Sequence, residues 1–64
     1  LLTAKEKELM REITKGYSNK EIATSFNNSI RTIELHRSRV FEKMEVASAV
    51  ELTIELERLN SLKD

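Results

Sequence analysis

The chain has 64 residues, with eleven basic and eleven acidic side chains, no cysteine and one histidine. Without cysteine there is no disulfide and no thiolate metal site, and one histidine without clustered carboxylates makes no zinc site, so we expect no cofactor and no metal. No apolar run approaches the roughly 20 residues of a membrane-spanning helix, and no signal peptide is recognisable. We therefore expect no membrane partner and a cytoplasmic location. One glycine and no proline favour an all-α fold.

Two capping boxes predict the first two helices. In Thr3-Ala4-Lys5-Glu6 the threonine hydroxyl and the glutamate each bond the other's backbone N–H, which predicts a helix over 3–15. Gly16 tolerates the left-handed conformation that ends many helices. Ser18-Asn19-Lys20-Glu21 repeats the box and predicts a helix over 18–26, which two asparagines then end.

The third helix is predicted over 29–44, with Ser29 as its N-cap. Ile33, Val40 and Met44 recur at helical spacing and predict its buried side, while Arg31, Leu35, Ser38 and Glu42 fall on the opposite face. About three residues separate this helix from the second, a spacing typical of a helix-turn-helix and also of ordinary helical hairpins.

The fourth helix is predicted over 48–60, with residues 61–64 frayed. Ser48-Ala49-Val50-Glu51 forms its capping box. Leu52, Leu56 and Leu59 make one apolar row, and Val50 and Ile54 make a second. A core this thin cannot bury both rows, so we expect one of them to pack on a partner.

The zero net charge conceals two halves of opposite sign. Residues 1–44 hold nine basic and six acidic side chains, a net charge of +3, and residues 45–64 hold two basic and five acidic ones, a net charge of −3. The basic half contains the third helix. A polyanion is attracted to that half and repelled by the fourth helix.

Several short motifs occur in order along the chain, and together they resemble the DNA-binding domain of the LuxR/FixJ/NarL family of bacterial transcription regulators. They are Leu2-Thr3 with Glu6, then Gly16-Tyr17-Ser18-Asn19-Lys20-Glu21-Ile22-Ala23, Arg31-Thr32-Ile33-Glu34-Leu35-His36-Arg37, and Lys43-Met44-Glu45-Val46 followed by Ser48. The resemblance implies a four-helix domain whose third helix enters the major groove and whose fourth helix pairs with a second copy in a homodimer. It also implies an N-terminal receiver or ligand-binding domain, and since the chain opens with Leu1 we expect residues 1–64 to be one DNA-binding domain of a longer regulator.

Four residues depart from the family pattern. Asn28 stands where Ile or Val usually plugs the turn, Ile30 where a polar residue is common, and Ala49 where Arg is common. Glu45 replaces the frequent glycine at the end of the third helix, so we expect a strained or altered end there.

The third helix carries the candidate DNA contacts. Glu34, Leu35 and Ser38 are placed to meet base edges: a carboxylate accepts from a cytosine amine, a leucine touches a thymine methyl, and a hydroxyl bonds several bases. Phosphate ligands are expected among cationic and polar side chains and near the N-termini of the second and third helices; these are Asn19, Lys20, Ser29, Arg31, Thr32, His36, Arg37, Arg39 and Lys43. Two plainer roles stay open, since Glu34 can pair along the helix with Arg31 or Arg37, and the Arg37 stem can lie over the core.

We therefore predict sequence-specific binding of double-stranded DNA by a homodimer that pairs through Val50 and Ile54. One alternative is the promoter-binding helix-turn-helix of a sigma factor, and another is a helical protein-interaction module. An enzyme is not expected, since no nucleophile–base pair and no phosphate-binding loop is recognisable.

Overall fold

A computed structural model describes residues 2–63, the side chains of 62 and 63 excepted. This part of the chain forms four helices and no strand. The helices are α1 (Ala4–Thr14), α2 (Asn19–Phe26), α3 (Ile30–Met44) and α4 (Ala49–Lys63). The all-α prediction is confirmed, and all four helices begin one residue after their predicted caps.

The predicted end of the fourth helix is wrong. We expected it to stop at residue 60 and residues 61–64 to fray, whereas α4 continues through Lys63; residue 64 lies outside the described residues. No glycine or proline follows Arg58 to end the helix. Leu59 and Asn60 line a groove with Leu2 and Met10, so α4 runs beside α1 as far as residue 60.

The core lies where the apolar stripes of all four helices meet. Its buried residues are Leu9, Met10, Ile13, Ile22, Ala23, Ile33, Val40 and Leu52. Phe26, Phe41 and Met44 pack against this cluster at its edge. Helix α3 packs on α2 and α1, and α4 packs on α1. Met44, which was predicted to lie on the buried side of α3, is only partly covered, as is Phe26, because each is the last residue of its helix at the edge of a small core.

The capping boxes of α1 and α2 form as predicted. The Thr3 hydroxyl accepts from the Glu6 N–H at 3.1 Å and the Glu6 carboxylate accepts from the Thr3 N–H at 2.9 Å. Ser18 and Glu21 repeat this at 3.1 and 2.8 Å. At α4 only half of the predicted box forms: the Ser48 hydroxyl accepts from the Glu51 N–H at 3.2 Å, but the Glu51 carboxylate accepts from that hydroxyl at 3.5 Å and not from the Ser48 N–H. Each cap satisfies N–H groups that the first helical turn leaves without a partner.

Three successive helices end in the same motif. In each, a residue in the left-handed conformation follows the helix, and the next N–H bonds a carbonyl five residues earlier, as in a Schellman motif. The left-handed residues are Gly16 (φ 89°), Asn27 (φ 57°) and Glu45 (φ 56°). The long bonds measure 3.3, 2.9 and 3.0 Å in chain order. The end of α3 thus has the same shape as the ends of α1 and α2, so the expected altered shape is not found; Glu45 holds a conformation that glycine usually takes, and strain there stays a prediction.

The turn between α2 and α3 lacks an apolar plug. Val46 follows the left-handed residue of the α3–α4 turn and packs on the core. Asn28 occupies the corresponding position of the α2–α3 turn and is exposed. Its N–H bonds the Ala23 carbonyl at 2.9 Å, and Ser29 caps α3 through the Thr32 N–H at 3.1 Å. Hydrogen bonds at both helix ends therefore hold this turn in place.

Candidate nucleic-acid interface

The outer face of α3 is open. Arg31, Glu34, Leu35 and Ser38 are exposed there and line a shallow depression with Thr32. Leu35 is 51% exposed although it is a large apolar residue. Ile33 and Val40 on the inner side are fully buried. The predicted division of α3 into a core face and an outer face is therefore present.

Helix α4 lies away from this outer face. It packs on α1, while α3 is held from behind by α2 and α1. The fold measures 36 × 20 × 19 Å along its principal axes. An α-helix with its side chains is about 10–12 Å across, and the B-DNA major groove is about 12 Å wide. The exposed side of α3 thus matches the groove in size.

Two hydroxyls mark the N-terminus of α3. The Ser29 Oγ accepts from the Thr32 N–H at 3.1 Å and lies 2.9 Å from the Thr32 Oγ1. Ser29 is exposed and Thr32 is half-buried. Both predicted phosphate ligands are therefore at the positive end of the helix dipole, but their side chains already bond each other.

Arg37 joins the two helices of the motif. Its Nη1 donates to the Asn19 Oδ1 at 3.4 Å, and its guanidinium lies 5.1 Å from the centre of the Phe41 ring. Both Arg37 and Asn19 are half-buried. Arg37 therefore packs on Phe41 at the edge of the core and links α2 to α3 through Asn19.

Lys43 is bound across the fold to α1. Its Nζ lies 2.9 and 3.0 Å from the two carboxylate oxygens of Glu6. The Thr3 backbone N–H, which donates to the same carboxylate, and then Lys43 lower the pKa of Glu6 to about 2. The bidentate contact ties the C-terminal part of α3 to the N-terminus of α1, so a phosphate must compete with Glu6 for this ammonium.

Lys20, Arg31 and Arg39 are the more accessible cations among the predicted ligands. All three are exposed, and within residues 2–63 none makes an ion pair with a carboxylate. Glu34 pairs with neither Arg31 nor Arg37 in that range, so its carboxylate is also open to solvent. The outer face of α3 thus offers a hydroxyl, a carboxylate, a leucine and guanidinium groups.

His36 faces α1 and not the centre of the outer face. It is half-buried and lines a cavity with Thr3, Lys5, Glu6, Leu9, Phe26 and Arg39. Sequence reasoning missed Lys5, whose Nζ lies 4.4 Å from the centre of the Phe26 ring. Lys5 precedes His36 by 31 residues, so no local pattern indicates that the two share a cavity.

Val50 and Ile54 form the exposed row of α4. They are 69% and 60% exposed, while Leu52 is fully buried and Leu56 packs against the core. On a helix of about 100° per residue, Val50 and Ile54 lie roughly 40° apart and about half a turn from Leu52. Of the leucine row, the core buries Leu52 and partly covers Leu56, while Leu59 is 38% exposed; packing of the Val50 and Ile54 row on a partner stays a prediction.

No group of histidine, cysteine or acidic side chains suited to a metal ion occurs in the described part of the chain. Within that same part, no helix is long and apolar enough to cross a membrane.

Comparison with known proteins gives a consistent result. The family model described as "Bacterial regulatory proteins, luxR family" matches residues 1–56. The tetrathionate response regulatory protein TtrR of Salmonella typhimurium is 47% identical over 60 residues, which cover 94% of this chain and 29% of that protein. The response regulator protein VraR of Staphylococcus aureus is 39% identical over 54 residues, covering 84% of this chain and 26% of that protein.

The chain therefore spans less than a third of the length of these relatives. No solved structure gives a significant match. The family model covers most of the chain and includes the two helices of the helix-turn-helix together with the whole of α1. The chain belongs to the luxR family of bacterial regulatory proteins.

Proposed function

We propose that this chain binds double-stranded DNA in a sequence-specific manner and so regulates transcription. The observation that carries the proposal is the open outer face of α3, where Leu35 is 51% exposed among polar and cationic side chains. Membership of a family of bacterial regulatory proteins supports the regulatory role. This role places the protein in the bacterial cytoplasm, where the DNA lies.

Base recognition falls to three exposed residues of α3. Each base pair presents a distinct pattern of donors, acceptors and methyl groups in the major groove. Glu34 accepts from the exocyclic amine of cytosine, Leu35 contacts a thymine methyl, and Ser38 donates or accepts. All three are exposed on the same side of α3.

Phosphate contacts set the register of the helix in the groove. Lys20, Arg31 and Arg39 supply exposed cationic groups, and the amides at the N-termini of α2 and α3 lie beside Lys20 and Arg31. Asn19 and Arg37 bond each other and so hold α2 in position. His36, Thr32, Ser29 and Lys43 remain proposed ligands on the flanks of α3.

Two copies pair through the exposed row of α4. Val50 and Ile54 lie on the side of the helix that faces away from the core, where a second copy can cover them. A homodimer places two α3 helices on half-sites about 34–36 Å apart, one turn of the duplex. Pairing raises the effective concentration of the second α3 helix at its half-site.

Regulation comes from a domain outside this chain. The relatives named response regulators are more than three times as long as the matched segment. We propose that residues 1–64 are the DNA-binding domain of a regulator of that kind and that an N-terminal receiver domain controls it.

The test separates base readout from phosphate binding. Duplexes selected from a random library give the preferred site, and binding is then measured at several salt concentrations. Leu35→Ala is expected to change the preferred base at one position of each half-site, because only the thymine contact is lost. Arg39→Ala is expected to weaken binding to all duplexes about equally and to flatten the salt dependence.

Leu59→Ala on α4 is the matched control, since Leu59 is also a partly exposed leucine but lies away from α3. Its base preference should equal that of the parent chain. An unchanged preference for Leu35→Ala at every position would show that α3 does not read bases in this orientation. Binding without salt dependence would contradict the proposed function as a whole.

A further inference from the structure

A cavity opens where the N-terminus of α1 meets α2 and α3. Its lining combines three cationic or donor side chains with an apolar floor and a helix cap; the residues are Thr3, Lys5, Glu6, Leu9, Phe26, His36 and Arg39. Three of the four helices contribute to it. None of the motifs that resemble the family pattern singles out Lys5 as a ligand.

The charge of the cavity favours an anion. Lys5, His36 and Arg39 reach it from α1 and α3, and the one carboxylate in its wall is Glu6. That carboxylate already accepts from the Thr3 N–H and from the Lys43 ammonium. Its negative charge is thus largely compensated, and the donors of Lys5 and Arg39 are left for a ligand.

Lys5 is held towards the cavity by its neighbours. Its Nζ lies over the Phe26 ring, 4.4 Å from the ring centre. This cation–π contact restrains the side chain without neutralising its positive charge. The Lys5 Nζ also lies 3.8 Å from the Glu8 Oε2, and this ion pair is on the exposed surface of α1. An exposed pair of this length is weak, so a phosphate can displace Glu8.

The position of the cavity relates it to the duplex. Arg37 faces α2 on one flank of α3, where it bonds Asn19. Arg39 lies about 160° away around the helix axis, on the flank that faces α1. A helix in the major groove has one sugar-phosphate backbone on each flank, and phosphate contacts on both flanks fix its register.

We propose that this cavity binds a phosphodiester group of the DNA backbone, with Lys5 as a phosphate ligand supplied by α1. The N-terminus of α2 contacts one backbone of the groove, and the cavity contacts the other. The inference rests on the proposed function and adds α1 to the interface. The phosphate groups of DNA are the same at every base pair, so the site positions α3 in the groove and does not distinguish bases.

The experiment measures the affinity for the selected duplex as a function of salt in the parent chain, Lys5→Gln and Lys7→Gln. Lys7 is the matched control, because it is an exposed lysine of the same helix that faces the groove towards α4. On a duplex that carries a single half-site, Lys5→Gln should reduce the slope of log affinity against log salt by about 0.9, one phosphate contact for each bound copy. Between 50 and 200 mM salt its affinity then falls about threefold less than that of the parent chain.

Base preference should stay unchanged in Lys5→Gln, and its thermal unfolding should match that of Lys7→Gln. Equal salt slopes for the two variants, with steep salt dependence in the parent chain, would overturn this site and leave the proposed function standing. A parent chain that does not bind duplex DNA would overturn the proposed function itself. A titration with inorganic phosphate at constant ionic strength is the second arm. Amide shifts around Lys5 there, with no difference in DNA slope, would show a site for free anions and overturn the DNA assignment.

Discussion

Replacing Glu45 with glycine tests how much strain the turn between α3 and α4 stores. Glu45 holds φ 56° and ψ 44°, the left-handed region, where a Cβ crowds the following carbonyl. Within residues 2–63 its side chain makes no hydrogen bond or ion pair that the substitution would remove. The backbone bonds of the turn do not involve the side chain and are kept.

The magnitude follows from two opposing contributions. Relief of the left-handed strain stabilises the folded chain by about 1–2 kcal/mol. Glycine also gives the unfolded chain more freedom, which costs roughly 0.5–1 kcal/mol. The net increase in the free energy of unfolding is therefore between about 0 and 1.5 kcal/mol, and the midpoint of about 0.75 kcal/mol corresponds to a rise in Tm of about 3–6 °C for a domain of this size.

Thermal unfolding followed by circular dichroism measures this shift, and the chain offers two internal controls. Asn27→Gly places glycine in the same left-handed conformation. Asparagine already tolerates that conformation better than glutamate, so the rise in Tm should be smaller. Gly16→Ala should lower the Tm, because φ is 89° there, although no atom lies within 4 Å of the added Cβ. A Tm for Glu45→Gly at or below that of the parent chain would refute the assignment of strain to this turn.

Further predictions concern acid stability, the core and pairing. The Thr3 N–H and then Lys43 lower the pKa of Glu6, so the contribution of Glu6 to stability is complete above its unfolded pKa, near 4.5, and is lost as the pH falls towards 2. Glu6→Gln, which keeps a capping side chain, should flatten the acid-unfolding curve between pH 4.5 and 2, and an unchanged curve would contradict the lowered pKa. Leu52→Ala should cost about 2–5 kcal/mol in urea unfolding, because the side chain is fully buried, and a cost below 1 kcal/mol would contradict its place in the core. Val50→Ser combined with Ile54→Ser should change the Tm of the monomer by no more than a few degrees. It should weaken binding to paired half-sites far more than binding to a single half-site. Equal losses of affinity on the two duplexes would exclude this row as the dimer contact.

Local interactions explain which features could be predicted from the sequence. A capping box joins residues three apart, and a Schellman turn joins residues five apart. The stripe of Ile33, Val40 and Met44 repeats with the period of one helix. These interactions form whenever the helix forms, so helix starts, left-handed turns and the inner side of α3 follow from neighbouring residues alone.

Tertiary packing decided the rest. Two apolar rows of α4 were equally suited to the core, and only contact with α1 selects the row of Leu52. The far end of α4 is helical through Lys63 where fraying was predicted. Long side chains have many rotamers of similar energy, and their heads settle where a distant partner lies. Arg37 thus bonds Asn19, and Lys43 bonds Glu6 across 37 positions of sequence.

The sequence by itself determined four helices, their caps, and a third helix with one apolar and one polar side. The structure decided that α4 packs on α1 and leaves that polar side open, and that Lys5 meets His36 and Arg39 in one cavity. The physical reason is the distance along the sequence over which each interaction acts. Backbone hydrogen bonds and helical periodicity act within a few residues, whereas burial and charge pairing depend on which helices pack together.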